Sequence, residues 1–465
     1  MSVRASWSGQ LAFVLAAAAS AIGLGNLWRF PYLAARYGGG VFIAVYLGLS
    51  LTLGCTLLVT EIALGRRSRQ SQLTAFGALG HYRWGWLGVA ATLVPFLILP
   101  YYCVIGGWVL RYFCAYFPSA VWGGNQLGNP QVFFDAFTGA PWAPYVFLGL
   151  FTAVTMAVIL LGVKRGIEKA NLVMMPILFV MALALAIYVG TRPGAGEGIR
   201  FYLVPDFAGC DNLGKVVLGA MGQMFYSLSL AMGIMITYGS YMRKEDSIPG
   251  AAVRVALADT LVAVLAGFMV VPAVVVFAAQ SGGEGARAAI EAGPGLMFVT
   301  LPKVFATLGS AGAWIGLAFF LLVLFAALTS AISMTEACVA AVSDKFGCSR
   351  RMSVAVVTVT VVVLGAFSAF GYGRWSELRP FGMPMLDFFD FVSNSLMCPV
   401  VAAATCVFVG WVLGPKVVVA ECGEGGRLRL QELYSVVVRY FAPVLVIAIL
   451  VSEVCRYFGI GGWNI

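Results

Sequence analysis

Between Ala19 and Phe30 the chain reads Ala-Ser-Ala-Ile-Gly-Leu-Gly-Asn-Leu-Trp-Arg-Phe, an apolar run that holds an amide, Asn26, and a fixed positive charge, Arg29. Gly23 and Gly25 each weaken a helix by roughly 1 kcal/mol relative to Ala. A helix broken there frees backbone carbonyls and N–H groups. Carbonyls suit a hard cation, which takes oxygen ligands; N–H groups at a helix N-terminus suit an anion. Both Asn and Arg are expensive at membrane depth, and unwound backbone is tolerated there only when packed in protein or lining a cavity. From this stretch alone, a kinked spanning helix with packing glycines reads equally well. A second interruption, Ser227-Leu-Ser-Leu-Ala-Met-Gly233, turns the reading toward a binding site.

The elements that must position these groups are membrane spans. The chain has 465 residues, 61% hydrophobic and only 11% charged. Soluble domains carry about 25% charged residues, so this is a polytopic membrane composition. Apolar segments of spanning length fall at about 10–36, 39–66, 84–117, 142–162, 166–190, 213–240, 248–279, 311–343, 352–372, 384–413 and 433–458. Arg4 precedes a long span with no Ala-x-Ala-type exit, so no cleavable signal peptide is expected. The net charge of +9 fits excess Lys and Arg on cytoplasmic loops and does not call for nucleic acid. Ten cysteines show no Cys-x-x-Cys spacing and read as apolar packing. His81 is the single histidine, which argues against a His-based metal or catalytic site.

Basic residues mark alternate loops: Arg66, Arg67, Arg69 and Arg83; Lys164, Arg165 and Lys169; Arg243 and Lys244; Lys345, Arg350 and Arg351; Lys416, Arg427 and Arg429. The positive-inside rule puts these loops and the N-terminus in the cytoplasm and, with eleven spans, the C-terminus outside, in a cell inner (plasma) membrane. Three Gly- and Pro-rich outer loops, 118–141, 191–212 and 280–310, are long enough to act as lids. No soluble domain or linker is evident, so 1–465 reads as one transmembrane domain. The two interruptions sit five spans apart. Paired broken helices at corresponding positions of two halves point to a transporter's central site. An odd-numbered repeat inverts the second half: repeat one at about 10–190, repeat two at about 213–413, and an extra helix at about 433–458. No Walker, Gly-x-Ser-x-Gly or His-Glu-x-x-His motif is present, and no acid/base pair with a nucleophile, so an enzyme is not expected.

Over nearly its whole length the chain resembles the neurotransmitter:sodium symporter family. The motifs are Ser20 through Tyr32, Gly38 to Gly40, Tyr101-Tyr102 with Trp108, Gly222-Gln223 through Ser229-Leu230, Thr237-Tyr238 through Tyr241, Ala327 to Ser330, and Leu386-Asp387 through Asp390-Phe391. The resemblance implies an all-α polytopic membrane protein with the LeuT-type 5+5 inverted repeat, broken helices one and six, and an eleventh helix. It implies two sodium sites and no organic cofactor. The first would use the Ala21 carbonyl, Asn26, Ser227 and Asp259, the second the Ala19, Ile22 and Ala326 carbonyls with the Thr329 and Ser330 hydroxyls. By themselves, Thr329 and Ser330 also read as back-bonded helix residues. The implied substrate pocket is Ser20, Ala21, Gly23, Leu24, Gly25, Ile98, Tyr102, Tyr226, Ser227, Ser229, Met232, Ser330 and Met334. A substrate carboxylate would meet N–H groups near Leu24 and Gly25 and the Tyr102 hydroxyl. The ammonium would meet carbonyls of Ala21, Tyr226 and Ser227.

Departures narrow the expectation. Gly23 stands where monoamine transporters of the family carry Asp, which favours amino acids over amines. Met232 and Met334 make adaptable walls for bulky or varied apolar side chains. Asp259 stands where chloride-dependent members carry a neutral Asn, so chloride independence is expected. Two gates also map: Arg29 to Asp390 outside, with Tyr102 and Tyr226 as a lid, and Arg4 to Asp344 inside, with Trp7 and Tyr241 alongside. Plain snorkelling charge at helix ends is the alternative reading of both. Gly166 and Pro176 match a pattern linked to local unwinding. The resulting expectation is sodium-coupled uptake of neutral, bulky apolar or aromatic L-amino acids by alternating access. The partners are substrate, sodium and lipid bilayer, with a second copy of the chain a candidate. Alternatives are another small zwitterionic solute or an ion channel, which the absence of a repeated filter loop disfavours.

Overall fold

The protein is described by a computed structural model covering residues 4–123, 127–207, 212–280 and 294–458. Among these residues nine uninterrupted helices are long and apolar enough to cross a membrane, from Gly40–Ser68 to Gln431–Phe458. A tenth span is the pair Gln10–Ala21 and Gly25–Arg36, bent by 55°. The remaining expected segment, 213–240, is two short helices, Leu213–Ser227 and Ile234–Ser240, with non-helical backbone between them. Boundaries fall within a few residues of those expected; the third span runs furthest past them, Tyr82–Trp122.

The first break has a local cause. Ile22 is extended (φ −77°, ψ 93°) and Gly23 follows outside regular helix, before helical backbone resumes at Leu24. Asn26 turns its amide oxygen back to accept the Gly23 N–H at 3.2 Å, replacing a bond the helix has lost. The second break alternates left-handed residues: Ser229 (φ 52°), Ala231 (φ 61°) and Gly233 (φ 68°). Each such position costs a non-glycine residue roughly 1–2 kcal/mol, so the surroundings must hold it.

Small residues let the broken helices pack closely, as membrane helices require. Helix Ile234–Ser240 lies on Cys55–Ser68. A Cβ at Gly65 would stand 1.9 Å from the Ile236 carbonyl oxygen, and one at Gly239 would stand 2.4 Å from that of Ile62. Helix Gln10–Ala21 packs between Ile248–Gln280 and Ser310–Phe346. The last of these also lies along the longest helix, Gly85–Trp122.

The three long loops are not structureless. They carry the helices Pro130–Thr138, Ala195–Leu203 and Leu296–Ala306. Residues 124–126, 208–211 and 281–293 of these loops lie outside the described residues. Gly39 (φ 54°) lies so close to the Phe201 carbonyl that a Cβ would stand 2.0 Å from it, which docks the second loop on the Gly38–Gly40 turn. The fifth span, Val163–Gly190, is helical throughout, opening with a wider π-type turn at Val163–Glu168 and passing through Pro176.

The basic loops gather at one end. Arg66, fully buried, donates to Glu421 Oε1 at 2.8 Å and to the Asp246 carbonyl at 2.7 Å. Lys244 meets Glu424 at 3.0 Å, Arg350 meets Glu336 at 2.6 Å, and Ser8 hydrogen-bonds Glu168. Loops after spans two, four, six, eight and ten thus share the end that holds the N-terminal segment.

Candidate functional site

The two breaks face one cavity. Ser20, Ala21, Gly23, Leu24, Gly25 and Asn26 enter from the first, and Tyr226, Ser227, Ser229 and Met232 from the second. Helix Gly85–Trp122 supplies Ile98 and Tyr102, and Ser310–Phe346 supplies Ser330 and Met334. Every residue named above as a substrate contact lies on this lining, together with Asn26. None carries a charged side chain.

Side chains reach the first break because glycine leaves room. A Cβ on Gly23 would stand 2.7 Å from Ser330 Oγ and 3.1 Å from the Tyr102 hydroxyl. One on Gly25 would stand 2.3 Å from the Tyr226 ring. The Leu24 N–H donates to the Tyr102 hydroxyl at 3.4 Å, and the Ser229 hydroxyl donates to the Ser20 carbonyl at 3.0 Å. Ile98, Met232 and Met334 add apolar side chains to the same lining.

Asp259 is fully buried beside the first break. It accepts from Asn26 Nδ2 at 2.7 Å, from the Ser227 hydroxyl at 2.8 Å and from the Tyr46 hydroxyl at 2.8 Å. Three of the four residues named for the first sodium site, Asn26, Ser227 and Asp259, thus form one hydrogen-bonded group with Tyr46, and the hydroxyls keep lone pairs for a cation. In the second set, Ser330 Oγ lies 3.4 Å from the Ala19 carbonyl oxygen and 3.4 Å from that of Ile22. Thr329 donates back to Phe325 at 3.0 Å and Ala326 at 3.1 Å, the ordinary helical arrangement. All donors in both sets are oxygen, as a hard cation prefers.

The family profile described as Sodium:neurotransmitter symporter family matches residues 4–132 and 143–462. The chain belongs to this family. Among relatives, a sodium-dependent transporter of Bacillus subtilis, YhdH, is 33% identical over 96% of this chain and 97% of its own length. One from Haemophilus influenzae is 31% identical over 97% of this chain and 98% of its own. A crystal structure of MhsT in complex with L-phenylalanine matches with a TM-score of 0.85 and 36% identity, over 97% of this chain and 100% of MhsT. This symporter-family chain is therefore a multi-pass, sodium-dependent membrane transporter with the LeuT-type helical fold.

The two charge pairs expected at the ends of this symporter-family chain differ: one is joined and the other is not. Arg4 holds Asp344 at 2.6 Å, bonds the Ser240 hydroxyl at 2.8 Å and lies over the Tyr241 ring at 5.1 Å. Trp7 is buried, its indole N–H donating to the Tyr238 carbonyl at 3.1 Å. At the other end, the expected Arg29–Asp390 pair is not formed. Arg29 lies over the Tyr226 ring at 5.3 Å, while Asp390 Oδ1 accepts from Tyr101 at 2.9 Å and Asn394 at 2.7 Å. These hydrogen bonds hold the carboxylate on its own side.

Several participants had no role assigned from sequence. Glu61 Oε1 accepts the Ala231 N–H at 2.7 Å, Gln223 donates to the Gly25 carbonyl at 3.2 Å, and the Tyr241 hydroxyl donates to Glu336 at 2.8 Å. An acid within an apolar span was the available signal for Glu61 and Glu336. Tyr46 carried none, since a tyrosine in an apolar run reads as packing.

Proposed function

We propose that the chain couples inward sodium movement to uptake of neutral, bulky apolar or aromatic L-amino acids by alternating access, independently of chloride. The observation carrying this reading is the uncharged cavity between the two breaks, with Asp259 hydrogen-bonded to Asn26 and Ser227 beside it. The likeness to MhsT, solved with L-phenylalanine, supports the substrate class.

The substrate carboxylate meets the break at Leu24 and Gly25 and the Tyr102 hydroxyl. Its ammonium meets carbonyls of Ala21, Tyr226 and Ser227 and the Ser229 hydroxyl. Its side chain lies among Ile98, Tyr226, Met232 and Met334. One sodium ion is held by Ala21, Asn26, Ser227 and Asp259, the other by Ala19, Ile22, Ala326, Thr329 and Ser330. Each ion joins a broken helix to an unbroken one, so its binding favours the assembled site over the separated helices. An acid at Asp259 offsets sodium charge in a low-dielectric interior, the role a chloride ion would otherwise serve. The N-terminus lies in the cytoplasm of a cell inner membrane, so the closed Arg4–Asp344 gate is the inner one.

The test is uptake by the purified protein in proteoliposomes under an inward sodium gradient. Saturable uptake of Leu, Phe or Trp that survives gluconate in place of chloride and vanishes with potassium in place of sodium is expected. Preference for glutamate, lysine or a decarboxylated amine, or collapse without chloride, would overturn the reading.

A further inference from the structure

The last span carries an exposed charge. Arg439 lies in helix Gln431–Phe458 and is open to the outside of the bundle. A helix of this length crosses the whole bilayer, and Arg439 stands about 12 Å in from its start, where headgroups give way to hydrocarbon. A charge at that depth is expensive unless it is paired or drawn out to the interface. Arg439 makes no ion pair among the described residues. Glu432, the one acid between it and the helix start, lies two turns away.

The side chain is nevertheless held in place. Arg439 Nε donates at 2.9 Å to the carbonyl of Gly410, in the neighbouring span Met385–Leu413. That carbonyl is available because the span ends in a π-type turn, Phe408–Leu413, whose bonds run to the fifth residue on. For Gly410 that residue is Pro415, which has no N–H. Gly410 also leaves room for the stem, since a Cβ there would stand 3.1 Å from Arg439 Cγ. The Trp411 indole N–H donates to the Arg439 carbonyl at 3.4 Å, and its ring meets Tyr440 edge-on at 5.5 Å. Both rings are exposed, as aromatic residues at headgroup level are. Val436, Tyr440 and Ile447 form an exposed apolar strip at helical spacing beside the arginine. With Nε occupied, both terminal nitrogens of the guanidinium keep their N–H groups, without a partner among the described residues. A helical side chain leans toward the helix start, here toward the headgroups.

We propose that Arg439 binds the phosphodiester of an anionic phospholipid, in the leaflet at the end that holds the basic loops, and so pins a lipid across the last two spans. The planar fork matches two phosphate oxygens, and the apolar strip takes an acyl chain.

The experiment titrates phosphatidylglycerol onto the purified full chain in neutral detergent and counts bound lipid by native mass spectrometry. Phosphatidylcholine and free glycerol phosphate are the comparisons. The wild type is expected to bind phosphatidylglycerol about fivefold more tightly than phosphatidylcholine, the scale of one arginine at a charged membrane surface, and to take up no glycerol phosphate. Arg439→Gln, which keeps an amide donor for the Gly410 carbonyl, should lose this preference. Arg427→Gln, in the exposed loop before the helix, should retain it. Equal loss in the two variants would mean diffuse attraction to the basic end and would overturn the inference, as would a preference that survives Arg439→Gln. Tight binding of glycerol phosphate would make this a site for a free anion and not for a lipid. A wild type that takes both lipids equally sinks the idea whatever the variants do.

Discussion

Arg4 and Asp344 meet at 2.6 Å across 340 residues of sequence, and the same carboxylate accepts the Ser71 N–H at 2.7 Å. One acid thus ties the N-terminal segment and the turn after the second span to the helix Ser310–Phe346. Both partners of the ion pair are largely buried. Arg4→Ala is expected to lower transport by about tenfold or more, because a mostly buried charge loses its partner. It should also leave the Arg4 end open to labelling by an impermeant thiol reagent at a cysteine introduced at Ser20. Transport and labelling like wild type would show that the pair does not hold this end shut.

At the opposite end the charges stand apart, and the expectation differs. Arg29→Ala and Asp390→Ala should each slow transport several-fold while changing equilibrium substrate binding little, since the pair would form only on closure. Pre-steady-state binding compared with steady-state uptake separates the two effects. Equal loss in both measurements would argue against a gate.

Sodium dependence should reside in Asn26 and Thr329. Asn26→Ala removes an amide oxygen at the first break and leaves the buried Asp259 without its amide donor. A loss of about tenfold or more in apparent sodium affinity is expected for Asn26→Ala and for Thr329→Ala, because each small site loses one of few ligands. Titration of binding against sodium at fixed substrate reads this directly. Unchanged sodium affinity in both variants would remove these residues from the ion sites.

Asp259→Asn keeps the shape of the side chain and deletes its charge. Sodium then lacks an anion nearby, and uptake should become dependent on added chloride. The measurement is uptake by the variant with chloride or gluconate outside. A variant that transports equally well in both, or equally poorly in both, would contradict a charge-balancing role.

Gly23 bears on substrate class. A Cβ there meets Ser330 and Tyr102, and overpacking of this kind costs about 1–3 kcal/mol. Gly23→Ala should weaken leucine binding by about five- to 150-fold, the equivalent of that cost. Gly23→Asp should not create an amine transporter, since its carboxylate has no space beside Ser330. Strong binding of a decarboxylated amine by Gly23→Asp would refute this packing argument.

Much of the architecture was legible because membrane chemistry is strict. Spans announce themselves by length, and the first break by glycines beside Asn26 and Arg29. What stayed hidden was pairing across the chain. Glu61 and Ala231 lie 170 residues apart, and nothing local to either says they touch. The Arg29–Asp390 expectation named compatible charges, but not which state holds them together, because Tyr101 and Asn394 compete for the same carboxylate. Helix Pro130–Thr138 was hidden by the loop-like composition around it. Its start, Asn129 before Pro130, is a capping signal, and Asn129 does accept the Gln131 N–H at 3.0 Å.

Asp259 sits within an unbroken helix and is held by three hydrogen bonds, so unlike a dissolved anion it never leaves with the cargo. In the proposed cycle two sodium ions and a net-neutral amino acid then carry two positive charges inward per turnover. Membrane voltage becomes a direct source of work, about 2.3 kcal/mol per charge per 100 mV. Two charges at that voltage support accumulation of roughly a thousandfold before any sodium gradient is counted. Uptake should therefore register as an inward current, and a cell that lost its potential would lose most of its concentrating power with the ion gradient still in place.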